Sequence, residues 1–151
     1  MSEIAAVIYP VPHNLVDRFF VSENKSVFVR YLGRTSTIRL APKSKVIFYA
    51  SGKSKELIGE GVIDEIEFLT PDEVLSKYGN KVFLNEKELD KYVHLRPNRT
   101  SSKKMLTINF SKLRKYSHPI RTDKRITMAG QYLTKKEYSE VVNRASESVR
   151  G

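Results

Sequence analysis

The chain has no cysteine and no tryptophan, and only seven glycines and three histidines among its 151 residues. Without cysteine there is no disulfide framework, no thiol nucleophile and no zinc–thiolate site. His13, His94 and His118 lie far apart and lack metal-ligand spacing of the HExxH kind, and each would need a positioned partner to act as a catalyst. No apolar run approaches the length of a membrane-spanning helix. Met1-Ser2-Glu3 lacks the basic start of a signal peptide. Together these absences predict a cytoplasmic protein with no metal, no cofactor and no membrane partner.

Acidic residues are scarce too, but only toward the end. Residues 1–95 carry 13 Lys and Arg against 13 Asp and Glu, whereas residues 96–151 carry 14 against 4, so the whole net charge of +10 sits in the final third. A one-sided excess of this size predicts a polyanionic partner, nucleic acid before a membrane surface. A length of 151 residues fits one domain, 1–151, large enough to bury a core.

The most informative stretch is 45–69. Val46, Ile47, Phe48 and Tyr49 form an apolar, β-branched and aromatic run that predicts a buried strand. Ser51 and Gly52 break it, and a second strand resumes near Leu57. Gly59 and Gly61 interrupt that strand, which predicts a bulge, a bend or the close approach of another group. The loop between the strands, Ser51, Gly52, Lys53, Ser54 and Lys55, offers hydroxyls and cations to an anion. It is not a P-loop: Ile47 stands where that motif needs glycine, and residues 57–61 do not read as a helix.

Elsewhere the pattern predicts a strand over 4–9 ended by Pro10 and Pro12, a short helix over 12–20, a strand over 27–32 with Arg30 on a mixed face, and a further short strand near Ile38 and Leu40. A strand over 105–110 precedes a basic segment, 111–119, and the last helix buries Tyr138, Val141, Val142 and Ala145. Thr70 with Glu73, Asn85 with Glu88, and Thr134 with Glu137 each form a capping box, with Gly79 as a helix stop. Glu56, Glu60, Asp64, Glu65 and Glu67 alternate with apolar residues, which predicts a solvent-facing row. The sum is an α+β protein, a small mixed or mostly antiparallel β-barrel of five to six strands with peripheral helices.

Residues 45–66, followed by 113–116 and 128–133, resemble the PUA-like superfamily, and most of all an archaeal branch of uncharacterised proteins related to ASCH and EVE domains. The strand ending Phe48-Tyr49-Ala50-Ser51-Gly52 and the run Ile58-Gly59-Glu60-Gly61 carry the likeness. The resemblance implies a compact pseudo-barrel with helices over its openings, and recognition of RNA or a modified nucleobase in a pocket at the barrel mouth. The ASCH signature GxKxxExR is met only in part, since Lys53 follows Gly52 directly and Ser54 stands at its lysine position. The tryptophans of EVE-type pockets are missing, which leaves Tyr31, Tyr49 and Tyr132 to build any aromatic cage.

The residues that fit nucleic-acid recognition, RNA before DNA, are therefore Tyr49, Ser51, Lys53, Ser54 and Lys55 around a base pocket, with Arg96, Arg99, Lys103, Lys104, Arg114 and Lys115 on the phosphates. Tyr116 and Tyr132 complete the set as stacking platforms. The alternative is a small hydrolase of a modified nucleobase or nucleoside in which Lys53 or Lys55 pairs with Glu60, a pairing that needs burial to bring the two pKa values together. A third reading is an interaction module whose basic face meets an acidic protein.

Overall fold

Unbroken burial along several strands marks a sheet covered on both faces. The structure, a computed structural model, describes residues 4–21, 25–31, 40–51, 55–95, 103–122, 126 and 130–147. β1 (Ile4–Pro12) leads through two single-turn helices, α1 (His13–Val16) and α2 (Arg18–Val21), to β2 (Val27–Arg30). β3 (Lys45–Ser51) and β4 (Glu56–Leu69) follow, then α3 (Pro71–Tyr78), a 3-10 turn (Gly79–Lys81) and α4 (Glu86–Val93). β5 (Met105–Arg121), β6 (Gln131–Thr134) and α5 (Lys135–Glu147) close the chain. The strands form one six-stranded sheet in the order β2-β5-β4-β3-β1-β6. Among the described strand pairs β1–β3 alone is parallel, and the fold is α+β.

The sheet curls. Tyr9 on β1 stacks on Phe28 of β2 at 5.9 Å, although three strands separate β1 from β2 in the sheet order. Val7, Tyr9 and Val11 of β1 and Val46, Phe48 and Ala50 of β3 point into this interior. There Phe19 stacks on Phe48 at 4.8 Å and on Phe83 at 5.2 Å, and Phe110 meets Phe48 edge-on at 5.5 Å. Such ring pairs add about 0.5–1.5 kcal/mol each beyond the area they bury. The alternate residues, Ala6 and Ile8 of β1 and Ile47 and Tyr49 of β3, pack outward with Leu57, Tyr116 and Leu133 beneath α5. The free edge of β2 is covered by a parallel bridge from Val27 to Val82 and by the Phe83 amide donating to the Val27 carbonyl at 2.9 Å, which removes a bare strand edge.

Several sequence expectations change here. β1 runs through Pro10 and Pro12 instead of ending before them. β6 pairs β1 only as far as Ile8, so both prolines lie where β1 is an edge and the missing N–H costs no ladder bond. The helix expected over 12–20 is two single turns separated at Asp17. The segment 105–119 is one long strand, β5, rather than a strand plus a basic tail. Its pairing with β4 shifts register between Leu57 and Gly59, between Val62 and Ile63 and between Ile63 and Glu65, as the glycines foretold. All three capping boxes form, with reciprocal bonds at Thr70/Glu73, Asn85/Glu88 and Thr134/Glu137. Of the short strand expected near Ile38 and Leu40, Ile38 lies outside the described residues and Leu40 is not in a strand.

Candidate functional site

A cleft of about 470 Å³ opens where the C-terminal end of β1 meets β2 and α4. Pro10, Pro12 and Leu15 form one wall, Phe83, Leu84 and Tyr92 the other, and Arg30 lies between them. Arg30 is 7% exposed and sets its guanidinium 4.4 Å from the centre of the Tyr9 ring, a cation–π contact in a desolvated setting. Burial first, and then the neighbouring Tyr132 with which it shares a hydrogen bond, push the Tyr9 hydroxyl well above the ordinary phenol range, against the opposing charge of Arg30. Tyr92 stacks on Tyr31 at 5.5 Å and its hydroxyl accepts from the Tyr31 amide at 2.9 Å. The Lys103 ammonium lies 5.7 Å over Tyr31, and Lys91 lines the cleft.

Among the described residues that line the cleft, Glu88 is the one carboxylate, and it is engaged. Both of its oxygens accept from the Arg18 guanidinium, and one also accepts from the Asn85 amide at 2.9 Å as part of the capping box. Arg18 donates further to the Phe83 carbonyl at 3.0 Å, so α2 is tied to α4 across the cleft wall. The Arg18 hydrogen bonds hold the Glu88 carboxyl at about 2, down from an ordinary 4.5, against a smaller opposing effect of burial. Because the folded value lies below the unfolded one, this contribution is complete above about pH 4.5 and is lost as pH falls toward 2. Glu88→Gln is expected to remove about 1–2 kcal/mol at pH 7, discounted for partial exposure, and much less at pH 2. Urea unfolding at the two pH values checks this; an equal loss at both rules the charge pair out.

The expected site residues are divided between the two faces of the sheet. Tyr132 packs against the barrel interior beside Tyr9, and Tyr31 lies within it, whereas Tyr49 is buried on the α5 face. The three tyrosines do not meet in one cage, because adjacent β3 residues point to opposite faces and Tyr49 follows Phe48. Ser51 pairs with the cleft residue Pro12 and donates its hydroxyl to the Val11 carbonyl at 3.2 Å, so the chain leaves the sheet beside the cleft. Lys55 is exposed with φ at 51°, and its carbonyl accepts from the Thr122 amide. Lys104 is exposed. Lys53, Ser54, Arg96 and Arg99 lie outside the described residues. Sequence reasoning passed over Arg30, Tyr9, Lys91 and Tyr92; the available signal was an arginine inside the otherwise apolar run 27–32.

Glu60 is not in the solvent-facing row expected for it. It is 5% exposed. One oxygen accepts from the Tyr116 hydroxyl at 2.9 Å and from Arg114 at 3.3 Å, and the other accepts from the Tyr138 hydroxyl of α5 at 2.6 Å. The bulge at Ile58, which leaves Tyr49 opposite Leu57 but Phe48 opposite Gly59, sets Glu60 opposite Ile47 on the α5 face, since one extra strand residue reverses the alternation. Burial above all, and then the Glu60 charge, push the Tyr116 hydroxyl far above the phenol range, and the same two causes raise Tyr138. Among the described residues the partners of Glu60 are two phenols and a guanidinium, not Lys55. Arg114 is thereby drawn to Glu60, and Lys115 lies 3.7 Å from Asp17.

The curled mixed sheet with its packed helices has the fold of ASCH proteins. An ASCH protein from Zymomonas mobilis superposes with a TM-score of 0.76, covering 95% of this chain and 99% of that one at 18% identity. The N-terminal domain of Staphylothermus marinus McrB superposes with a TM-score of 0.59 over 95% of this chain and 98% of that one, at 16% identity. The chain belongs to the family described as Domain of unknown function (DUF365), which it matches over residues 4–135. An uncharacterised protein of Methanocaldococcus jannaschii is 31% identical over 106 residues, covering 66% of this chain and 98% of that protein. No described helix is long and apolar enough to cross a membrane.

Proposed function

We propose that the chain works as one nucleic-acid-binding domain that takes a base of single-stranded RNA into the cleft at the barrel mouth. The observation that carries this reading is the buried guanidinium of Arg30 over Tyr9, at the base of apolar walls. Such a cleft is in the size range of sites for small planar ligands. Guanidinium donors held in a fixed plane match the carbonyl and ring-nitrogen edge of a base, guanine above all. Lys91 and Lys103 supply cations for the phosphates. RNA is favoured over duplex DNA because unpaired bases can leave the stack and enter a pocket.

Fluorescence anisotropy with single-stranded RNA, structured RNA and duplex DNA across a salt series tests the reading. Arg30→Met is expected to weaken single-stranded RNA binding by about 1–3 kcal/mol, the value of one good base contact. Lys91→Gln is expected to weaken it less and to flatten the salt slope by somewhat under one unit. Thermal melting of both variants separates lost contact from lost fold. Equal, weak binding to all three nucleic acids that vanishes by physiological salt would refute the reading.

A further inference from the structure

A second concave site lies on the other side of α1 and α2. It is a groove of about 450 Å³ lined by Phe19, Phe20, Phe110, Leu113, Lys112 and Lys115, with the Ser26 and Ser111 hydroxyls at its edge. The register shift between Val62 and Ile63 carves it, because Ser111 bulges out of β5 between Lys112 and Phe110. The two glycines of β4 make room for its floor. A Cβ on Gly59 would lie 2.6 Å from the Phe20 ring, and one on Gly61 2.7 Å from the Phe110 ring. Lys112 and Lys115 are exposed at the rim. The partner of Lys115 is Asp17 at 3.7 Å, with both side chains 53% exposed. An exposed pair of that kind is worth little and exchanges readily for a phosphate. A floor of phenylalanine rings with two exposed lysines at its rim, one of them only loosely paired, matches a base on a phosphodiester chain, since stacking and charge are the two needs of a single strand. Phe83 lines the cleft and stacks at 5.2 Å on Phe19, which lines the groove. The two sites therefore lie back to back across α1 and α2.

We propose that this groove is a second nucleic-acid contact, in which one base of the strand held at the cleft stacks on Phe20 while its flanking phosphates meet Lys112 and Lys115. The inference rests on the reading above, and the strand would cross α1 and α2 between the two sites. A single-stranded RNA of about 12 nucleotides, long enough for one such domain, is titrated against four proteins: wild type, Arg30→Met, Lys112→Gln/Lys115→Gln, and the control Lys135→Gln/Lys136→Gln. The control removes the same charge from the exposed start of α5. The groove pair is expected to lose about tenfold in affinity and about 1.4 units of log–log salt slope, and the control pair much less. Because the chain has no tryptophan, Ser111→Trp places a sole reporter at the groove, and its emission is expected to be quenched on binding. If wild type and Arg30→Met differ while the groove pair binds like wild type, or the control pair loses as much, the groove assignment falls and the cleft stands. Binding by Ser111→Trp without quenching also overturns it. If wild type does not bind the RNA at all, both readings fall.

Discussion

Glu60→Ala is expected to destabilise the protein by about 3 kcal/mol, near the lower end of the range for removing one partner of a buried charged network. The substitution strips a shared acceptor from two phenols and leaves the Tyr116 hydroxyl, in a 4% exposed residue, without its partner. An unsatisfied buried hydroxyl alone costs about 1–3 kcal/mol. It also releases α5, since the Tyr138 hydroxyl reaches the barrel through this carboxylate. For a domain of this size the melting temperature should fall by roughly 6–12 °C. Glu60→Gln should lie between, because an amide oxygen still accepts one phenol. Thermal unfolding of both variants and of Tyr138→Phe, read as a double-mutant cycle, checks the assignment. A change under about 1 kcal/mol for Glu60→Ala, or no coupling between positions 60 and 138, would sink it. The tyrosines add a pH signature. Their folded values lie above the ordinary 10.0, so their contribution is complete below pH 10 and is lost as pH rises beyond it. Glu60→Ala should blunt that alkaline loss.

The second large effect is expected one residue earlier. A Cβ at Gly59 would lie 2.5 Å from the Arg114 carbonyl oxygen and 3.0 Å from the Lys115 Cα, besides its contact with Phe20. The first two are backbone atoms of the paired strand and cannot swing aside without opening the β4–β5 ladder. Gly59→Ala should therefore cost about 3 kcal/mol or more, the upper part of the overpacking range. Gly79→Ala is the matched comparison. Nothing lies within 4 Å of its added methyl, but φ is +55°, so strain alone should cost about 1–2 kcal/mol. Chemical denaturation ranks the two. If Gly59→Ala proves milder than Gly79→Ala, the close packing of β4 on β5 is not as described.

Features whose partners lie within a turn or two could be read along the chain. Each capping box joins residues three apart, so Thr70, Asn85 and Thr134 announced their helices without any knowledge of the fold. The β-branched and aromatic runs at 46–49 and 105–110 likewise declared strands, and Gly59 and Gly61 declared irregular pairing. The PUA-like architecture followed from that inventory and the resemblance it carried.

What escaped depended on distant pairings. Glu60 and its neighbouring acids read as one solvent-facing row in sequence, but one extra residue at Ile58 in the β3–β4 pairing sets Glu60 opposite Ile47 beneath α5, whose Tyr138 lies 78 positions away. The basic residues of the final third form a block in sequence, yet Arg114 goes to Glu60, Lys115 to the groove beside Asp17, and Lys103 to Tyr31 near the cleft. The cleft itself exists because the sheet curls until Tyr9 meets Phe28, which brings Arg30 onto a ring 21 positions away. By itself the sequence determined where most strands lie, the helix caps and the uneven charge, since these rest on local hydrogen bonds and composition. Only the tertiary structure decided which charges are buried, which tyrosines share a face and where the concave surfaces open, because those follow from strand register and the closing of the sheet.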